Sequence, residues 1–347
     1  MRLFFTSNIG VDLGTSNVLL YVENEGIRIR EPSVVAMDKN SGKILQVGAA
    51  ARNMLGRTPG NVVAMHPLRE GVISDYEMTV SMLKNLFSRT AKNTLFKPKP
   101  RVIMCVPSGA TEVEERTVIN AAIEAGASRV YLIEEARAAA LGAGLDISNS
   151  GGHMVVDIGG GVTNIAVLSS NEVASSSSIK IAGDAFDEAI ARYIRRKYGV
   201  IIGQVTAEEI KMQICHVYPR QEEISMVARG RDAKSGAPRE LNLVSGELFE
   251  TMHRLARQIA DEVLSVLEDT QPELVGDIAV NGITLTGGGS QLWGMDMLLS
   301  ERTGITCTVA DDPESCAARG CGMSLAWIKH MNVGPINLAR KKIFRSK

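Results

Sequence analysis

Aromatic side chains make up only 4% of the 347 residues, so any core must be built from aliphatic packing, as in an ordinary α/β protein. Cysteine is equally scarce. Cys105, Cys215, Cys307, Cys316 and Cys321 are odd in number, form no CxxC pair and sit mostly among apolar neighbours. That excludes a disulfide scaffold and a zinc site, and fits a reduced cytoplasmic protein. No apolar run approaches the roughly 20 residues of a membrane-spanning helix. The opening MRLFFTSN is too short for the apolar stretch of a signal peptide. With a net charge of −1 there is no general attraction to nucleic acid, which is not expected as a partner, and contact with a membrane needs a local patch. The length and a hydrophobic content of 45% do allow two or more domains with substantial cores.

The chain has its chemistry in glycine turns. Met154–Val156 reads as a buried strand; Asp157, Ile158 and Gly159, Gly160 and Gly161 follow, and Val162, Thr163 and Asn164 lead into a second apolar run, Ile165–Leu168. Glycine permits positive φ and leaves no Cβ in the way, so successive N–H groups of such a hairpin can close on an anion. An acid at the strand end cannot hold a phosphate itself, but it can hold a hydrated Mg²⁺ beside one. The device recurs near the N-terminus, where Ile9–Val11 leads to Asp12, Leu13, Gly14, Thr15, Ser16 and Asn17 and then to Val18–Val22. Two copies half a chain apart imply a duplicated fold clamping one phosphate chain. A third cluster, Gly287, Gly288, Gly289 and Ser290, follows another apolar strand, where a backbone can approach a nucleotide and a helix N-terminus can face it.

DLGTSN, DIGGGVTN and LTGGGS, in this order, resemble the two phosphate loops and the adenosine loop of the actin-like ATPases. Within that superfamily the sequence is most similar to the MreB family of bacterial actins, over essentially its whole length. Supporting stretches include NEGIRIREPSVVA, PLREGVISD, CVPSGATEVEER and ADDPESCAARG. The resemblance implies an α/β, duplicated ribonuclease H-like ATPase fold: two domains, each with a large and a small subdomain, around a nucleotide cleft. The large subdomain of the first domain takes 1–32, 67–145 and 314–347, and its small one 33–66. The second domain has 146–181 and 247–313 as the large subdomain, and 182–246 as the small one. ATP or ADP with Mg²⁺ is the implied cofactor set, Asp12 and Asp157 the metal-facing acids, partly through water. The three glycine loops, including the Thr163 hydroxyl, are implied to hold the nucleotide.

The same resemblance gives roles to residues that are ambiguous by themselves. Strand Val130–Ile133 delivers Glu134 and Glu135 to its C-terminal end, where α/β sheets place their chemistry. Either acid can serve as a surface ion pair; the resemblance aligns Glu135 with the hydrolytic residue, which makes the chain a weak ATPase. The family's proline after that acid is Ala136 here, and its acid at 164 is Asn164, taken as a minor change past the loop. Gly183 lies near the cleft by resemblance, with Asp184 as N-cap of the following helix. In TAEEIK, Glu208 reads either as a capping acid or, by resemblance, as a ribose ligand with Lys211 beside the adenosine. Helices are expected at Asp75–Ser88, Thr111–Ala125 with Thr111 as cap, Ser245–Asp269, Gln291–Thr303 with Trp293, Met297 and Leu298 in the core, and Glu314–His330.

Leu95, Phe96 and Lys97 stand in a proline-bounded, lysine-rich loop. They read either as partly buried or, by resemblance, as a membrane contact in which lysines meet anionic headgroups at about 1 kcal/mol each. Met1–Phe5 reads as a strand start or a membrane tip, and the basic tail from Asn337 as solvated or as a second membrane contact. The implied function is an ATP-dependent filament, homopolymeric, peripheral on the inner face of the cytoplasmic membrane, which maintains cell shape with the cell-wall machinery. A small-molecule kinase of the same superfamily is the alternative.

Overall fold

The computed structural model describes residues 8–90 and 99–328. Leu95, Phe96 and Lys97, the N-terminal five residues and the basic tail lie outside the described residues. From the N-terminus, β1 (Asn8–Leu13), β2 (Asn17–Val22) and β3 (Gly26–Pro32) form an antiparallel meander. A small three-stranded sheet follows, made by β4 (Val35–Asp38), β5 (Ile44–Val47) and β6 (Val62–Met65), with helix α1 (Ala49–Arg52). The short β7 (Leu68–Arg69) and β8 (Val72–Ile73) pair ahead of α2 (Tyr76–Thr90). Next come β9 (Arg101–Val106), α3 (Glu112–Glu124) and β10 (Arg129–Glu134), which lay two parallel strands beside β1, and α4 (Glu135–Gly142) closes this half.

The second half repeats the plan. Its meander is β11 (His153–Ile158), β12 (Thr163–Ser169) and β13 (Glu172–Ile179). Its small lobe contains α5 (Gly183–Tyr198), β14 (Val200–Ile201), α6 (Gln204–Ile214), β15 (Ser225–Asp232) and β16 (Pro238–Val244). After α7 (Ser245–Glu268) and α8 (Pro272–Asn281), β17 (Ile283–Thr286) and, beyond α9 (Met295–Thr303), β18 (Cys307–Val309) run parallel to β11. The helix α10 (Cys316–Ile328) is the last described element. The strand orders β10-β9-β1-β2-β3 and β18-β17-β11-β12-β13 are the same topology twice, the duplication that the paired glycine loops imply. Every residue of β1 is buried and β9 is apolar from Val102 to Val106, because both faces of the sheet are covered.

One layer is shared. Ala136, Ala139 and Ala140 of α4 pack on Val155, Ala166 and Leu168 of the second sheet. Ala317, Cys321 and Leu325 of α10 pack on Ile103, Cys105, Tyr131 and Ile133 of the first. Each half thus lends a helix to the other's sheet, and the two helices cross between them. Alanine and glycine line the crossing because the backbones touch: a Cβ on Gly320 would stand 2.8 Å from the Ala138 Cα, and one on Gly142 2.9 Å from the Gly320 nitrogen.

Most local expectations hold in kind, and several shift. Thr111 caps α3 through a full capping box with Glu114. Asp184 does not cap α5; Ala182 holds that position and Asp184 sits in the first turn. The TAEE stretch caps nothing, because α6 starts at Gln204 after Gly203 and Thr206 is already inside the helix. Pro272 opens α8 at its first position, where its missing N–H costs no bond. Met297 is 46% exposed, whereas Leu298 is buried as expected. Trp293 precedes α9, with the Arg220 guanidinium 5.1 Å from its ring centre.

Candidate functional site

Strand periodicity decides which side chains reach the cleft. Residues two apart in a strand share a face. Asp157 therefore shares the α4 face with Val155, and Asp12 shares with Gly10 the face on which α10 lies, a Cβ on Gly10 standing 2.8 Å from the Cys321 Cβ. Glu135 is the first residue of α4, directly after β10. The three acids consequently line one cavity between the halves, at the foot of the helix crossing.

The loops close that cavity from both sides. Gly14, Thr15, Ser16 and Asn17 line it from the first half and Gly159, Gly160 and Gly161 from the second. None of these glycines has positive φ, so close approach and not left-handed backbone is what requires them. A Cβ on Gly160 would lie 2.8 Å from the Ser16 Cβ, and one on Gly161 2.9 Å from the Glu70 nitrogen. The N-terminus of α5 braces the second loop, with the Gly183 N–H donating to Gly159 O at 3.1 Å and the Asp184 N–H to Gly160 O at 2.8 Å. On the first loop the Thr15 hydroxyl accepts from the Gly71 N–H at 3.0 Å. In the third loop Gly287 does need its positive φ of 78°, and its Cα lies against Ile158. A 3-10 turn, Gly288–Gln291, follows it, and α9 begins only at Met295, so no α-helix N-terminus faces the cavity from this loop.

Gly183, Glu208, Lys211, Gly287, Gly288 and Gly289 also line the cavity. Thr163 and Ser290 do not. The Thr163 hydroxyl donates to Ile181 O at 2.7 Å and the Ser290 hydroxyl to Gly287 O at 2.7 Å, so both are spent on bracing the backbone. Lys211 is the one lysine or arginine among the described residues lining the cavity, and it donates to Gly183 O and to Asp187. Glu208 pairs with Arg52 of α1 at 2.5 Å, joining the two small lobes over the cleft. Lys180 and Glu70 make a second bridge between the halves at 2.5 Å.

Reading the sequence missed part of this. Asn164, set aside as lying past the loop, is fully buried and donates from Nδ2 to Glu135 Oε2 at 3.0 Å. Counting outward from the turn finds it, since the hairpin pairs Asp157 with Asn164. Glu314 lines the cavity and accepts from Arg30 at 3.0 Å and from Gln291. Glu134 does not line it; burial raises its pKa, opposed by the nearby Arg137 charge.

The acids crowd one another. Burial, and after it the Asp157 charge, pushes the Asp12 pKa up to about 7; burial pushes Asp157 to about 6 although Thr286 donates to it at 2.7 Å. Glu135 is raised well above the carboxylate range by burial, then by Asp157 and Asp12. Oxygen donors of this kind fit Mg²⁺, whose charge would relieve the repulsion. Among the described residues no three such side chains cage a metal ion by themselves. A cation here would therefore take most of its ligands from water and phosphate, as Mg²⁺ commonly does.

The chain matches the model of the MreB/Mbl protein family over residues 6–333. It is 49% identical to the cell shape-determining protein Mbl of Bacillus subtilis over 323 residues, which are 92% of this chain and 96% of that one. With MreB of Escherichia coli it shares 47% over 331 residues, 94% of this chain and 95% of that protein. The crystal structure of MreB5 of Spiroplasma citri bound to AMPPNP superposes with a TM-score of 0.88 at 39% identity, covering 94% of this chain and 98% of the other. A family model matched over almost every residue, relatives close to half identical from end to end, and a twice-repeated sheet around one cleft establish that this chain belongs to the MreB/Mbl family and has the actin-like fold.

Proposed function

We propose that this chain is an ATP-dependent, filament-forming bacterial actin that maintains cell shape. The observation that carries the reading is the convergence of phosphate-type loops from both halves on one cavity with Asp12, Asp157 and Glu135 at its floor. Most nucleotide contacts would be backbone N–H groups, because Lys211, the one lysine among the described residues lining the cavity, is already engaged. The triphosphate charge must then be balanced largely by Mg²⁺, which Asp12 and Asp157 would hold partly through water. Glu135 would orient and polarise the water that attacks the terminal phosphate, giving a slow ATPase. The small lobes, 33–66 and 182–246, form the walls over the nucleotide, with Glu208 shared between Arg52 and the ribose.

Relatives named for determining cell shape support the cell-shape role, and the MreB5 structure that holds a nucleotide analogue supports nucleotide binding. The ATP form would assemble with copies of itself and work beside the cell-wall machinery. The place of work would be the inner face of the cytoplasmic membrane, through Leu95, Phe96 and Lys97. No helix among the described residues is long and apolar enough to cross a membrane. The kinase alternative needs a carboxylate free to deprotonate an acceptor hydroxyl. Glu208 and Glu314, the other acids among the described residues lining the cavity, are both held by arginines.

Glu135→Ala tests the chemistry. It is expected to bind Mg²⁺-ATP with unchanged affinity and to hydrolyse it roughly 100-fold more slowly. Titration with a fluorescent ATP analogue and single-turnover phosphate release measure the two quantities. Normal hydrolysis by this variant would remove Glu135 from the mechanism.

A further inference from the structure

Strand register in the second sheet sets Thr286 of β17, Asp157 of β11, Asn164 of β12 and Ser178 of β13 in one transverse row. Directly paired residues present their side chains on the same face, so four polar groups stand side by side on one face of the sheet. The row is bonded toward the acids. Thr286 donates to Asp157 Oδ1 at 2.7 Å, Ser178 donates to Asn164 Oδ1 at 2.9 Å, and Asn164 Nδ2 donates to Glu135 Oε2 at 3.0 Å. Asn164 is 0% exposed, and a buried amide persists only with both of its ends satisfied. With the Ser178 hydroxyl on its oxygen, the amide turns its N–H to Glu135, whose Oε2 accepts.

We propose that Asn164, held in place by Ser178, is a positioning residue for ATP hydrolysis: it fixes the Glu135 carboxylate at the angle needed to orient the attacking water. This rests on the hydrolytic role of Glu135 proposed above. Glu135 opens α4 on a flexible side chain, and Ala136 stands where a proline would stiffen the turn. A hydrogen bond from a buried group on a different element removes that freedom, and small misplacements of a catalytic group cost rate steeply. Aspartate at 164 would keep the shape but lose the donor, and would set a further charge beside Asp12, Asp157 and Glu135. In this chain the hydrogen bond to Glu135 therefore comes from the amide.

Single-turnover hydrolysis and nucleotide affinity of the full chain test this for Asn164→Ala, Asn164→Asp, Ser178→Ala, Glu135→Ala and the Glu135→Ala/Asn164→Ala double variant. Both Asn164 variants should slow hydrolysis about tenfold or more, the loss expected for a hydrogen bond to a charged group, with affinity within about twofold of the parent. Ser178→Ala should slow it a few-fold. The double variant should be no slower than Glu135→Ala alone, because Asn164 acts through that residue. A parent-like rate for Asn164→Ala beside a slow Glu135→Ala overturns the positioning role alone; a parent-like Glu135→Ala overturns the hydrolytic reading on which it rests. Equal losses of rate, affinity and thermal stability in Asn164→Ala would mark a structural residue and overturn the proposal too. Should Asn164→Ala fail to fold, Ser178→Ala decides: a slower rate at unchanged affinity supports the role, and an unchanged rate overturns it.

Discussion

Asp157→Asn is expected to cost roughly 100-fold or more in affinity for Mg²⁺-ATP and, in the same protein, to raise the thermal midpoint without nucleotide above neutral pH. The two effects share one cause. Burial holds the Asp157 pKa near 6, and burial with the Asp157 charge holds Asp12 near 7. Unfolded aspartates titrate near pH 4, so between about pH 4 and 7 the folded chain keeps protons that the unfolded chain has released. The stability associated with these groups is complete below about pH 4 and is lost as pH rises through about 6 and 7. Asparagine removes one of the two charges and the repulsion on the other, while its amide oxygen can still accept from Thr286. Thermal unfolding at pH 5 and pH 8, in chelator and without nucleotide, should show the parent losing several degrees between the two and the variant losing fewer. Unchanged Mg²⁺-ATP affinity in Asp157→Asn would remove this residue from the metal site. This is the trade of stability for function that buried acid clusters impose.

Gly320→Val should destabilise the whole protein by about 4 kcal/mol or more, among the largest effects open to a single substitution. Its Cβ would enter the Ala138 backbone, 2.8 Å from the Cα, where neither helix can yield without lifting off a sheet. Because α4 and α10 each serve the sheet of the opposite half, both halves lose packing together. Gly276 gives the contrast. It lies inside α8 with nothing within 4 Å of its Cβ position, so Gly276→Ala should be neutral or stabilising by up to about 1 kcal/mol. Chemical denaturation of the two variants measures the difference. A Gly320→Val protein as stable as the parent would mean that the crossing is loose.

The parts of the site that were legible in the sequence are those whose chemistry is local. An acid at a strand end, a glycine turn and a second strand lie within about ten residues, and repeating them announces the duplication. What escaped depends on faces and on distant partners. Thr163 and Asn164 are neighbours in the chain, but a strand turns them to opposite sides. The hydroxyl went to Ile181 and the amide to Glu135, the reverse of the expected importance. Ser290 looked like a ligand because it ends a glycine run, yet it bonds back to Gly287. The pairing of Glu208 with Arg52 spans 156 residues and has no local signature. In α4 and α10 the small residues announce helices, but not that the two helices cross.

Nucleotide-dependent assembly is the most direct test of the central claim. Purified protein should be sedimented and imaged by electron microscopy in ATP-Mg²⁺, in ADP-Mg²⁺ and without nucleotide. Filaments that pellet with ATP-Mg²⁺ and diminish in the other two states are the predicted result. Protein that binds ATP in the cleft yet stays unassembled in all three would contradict the account of this chain as a filament-forming actin.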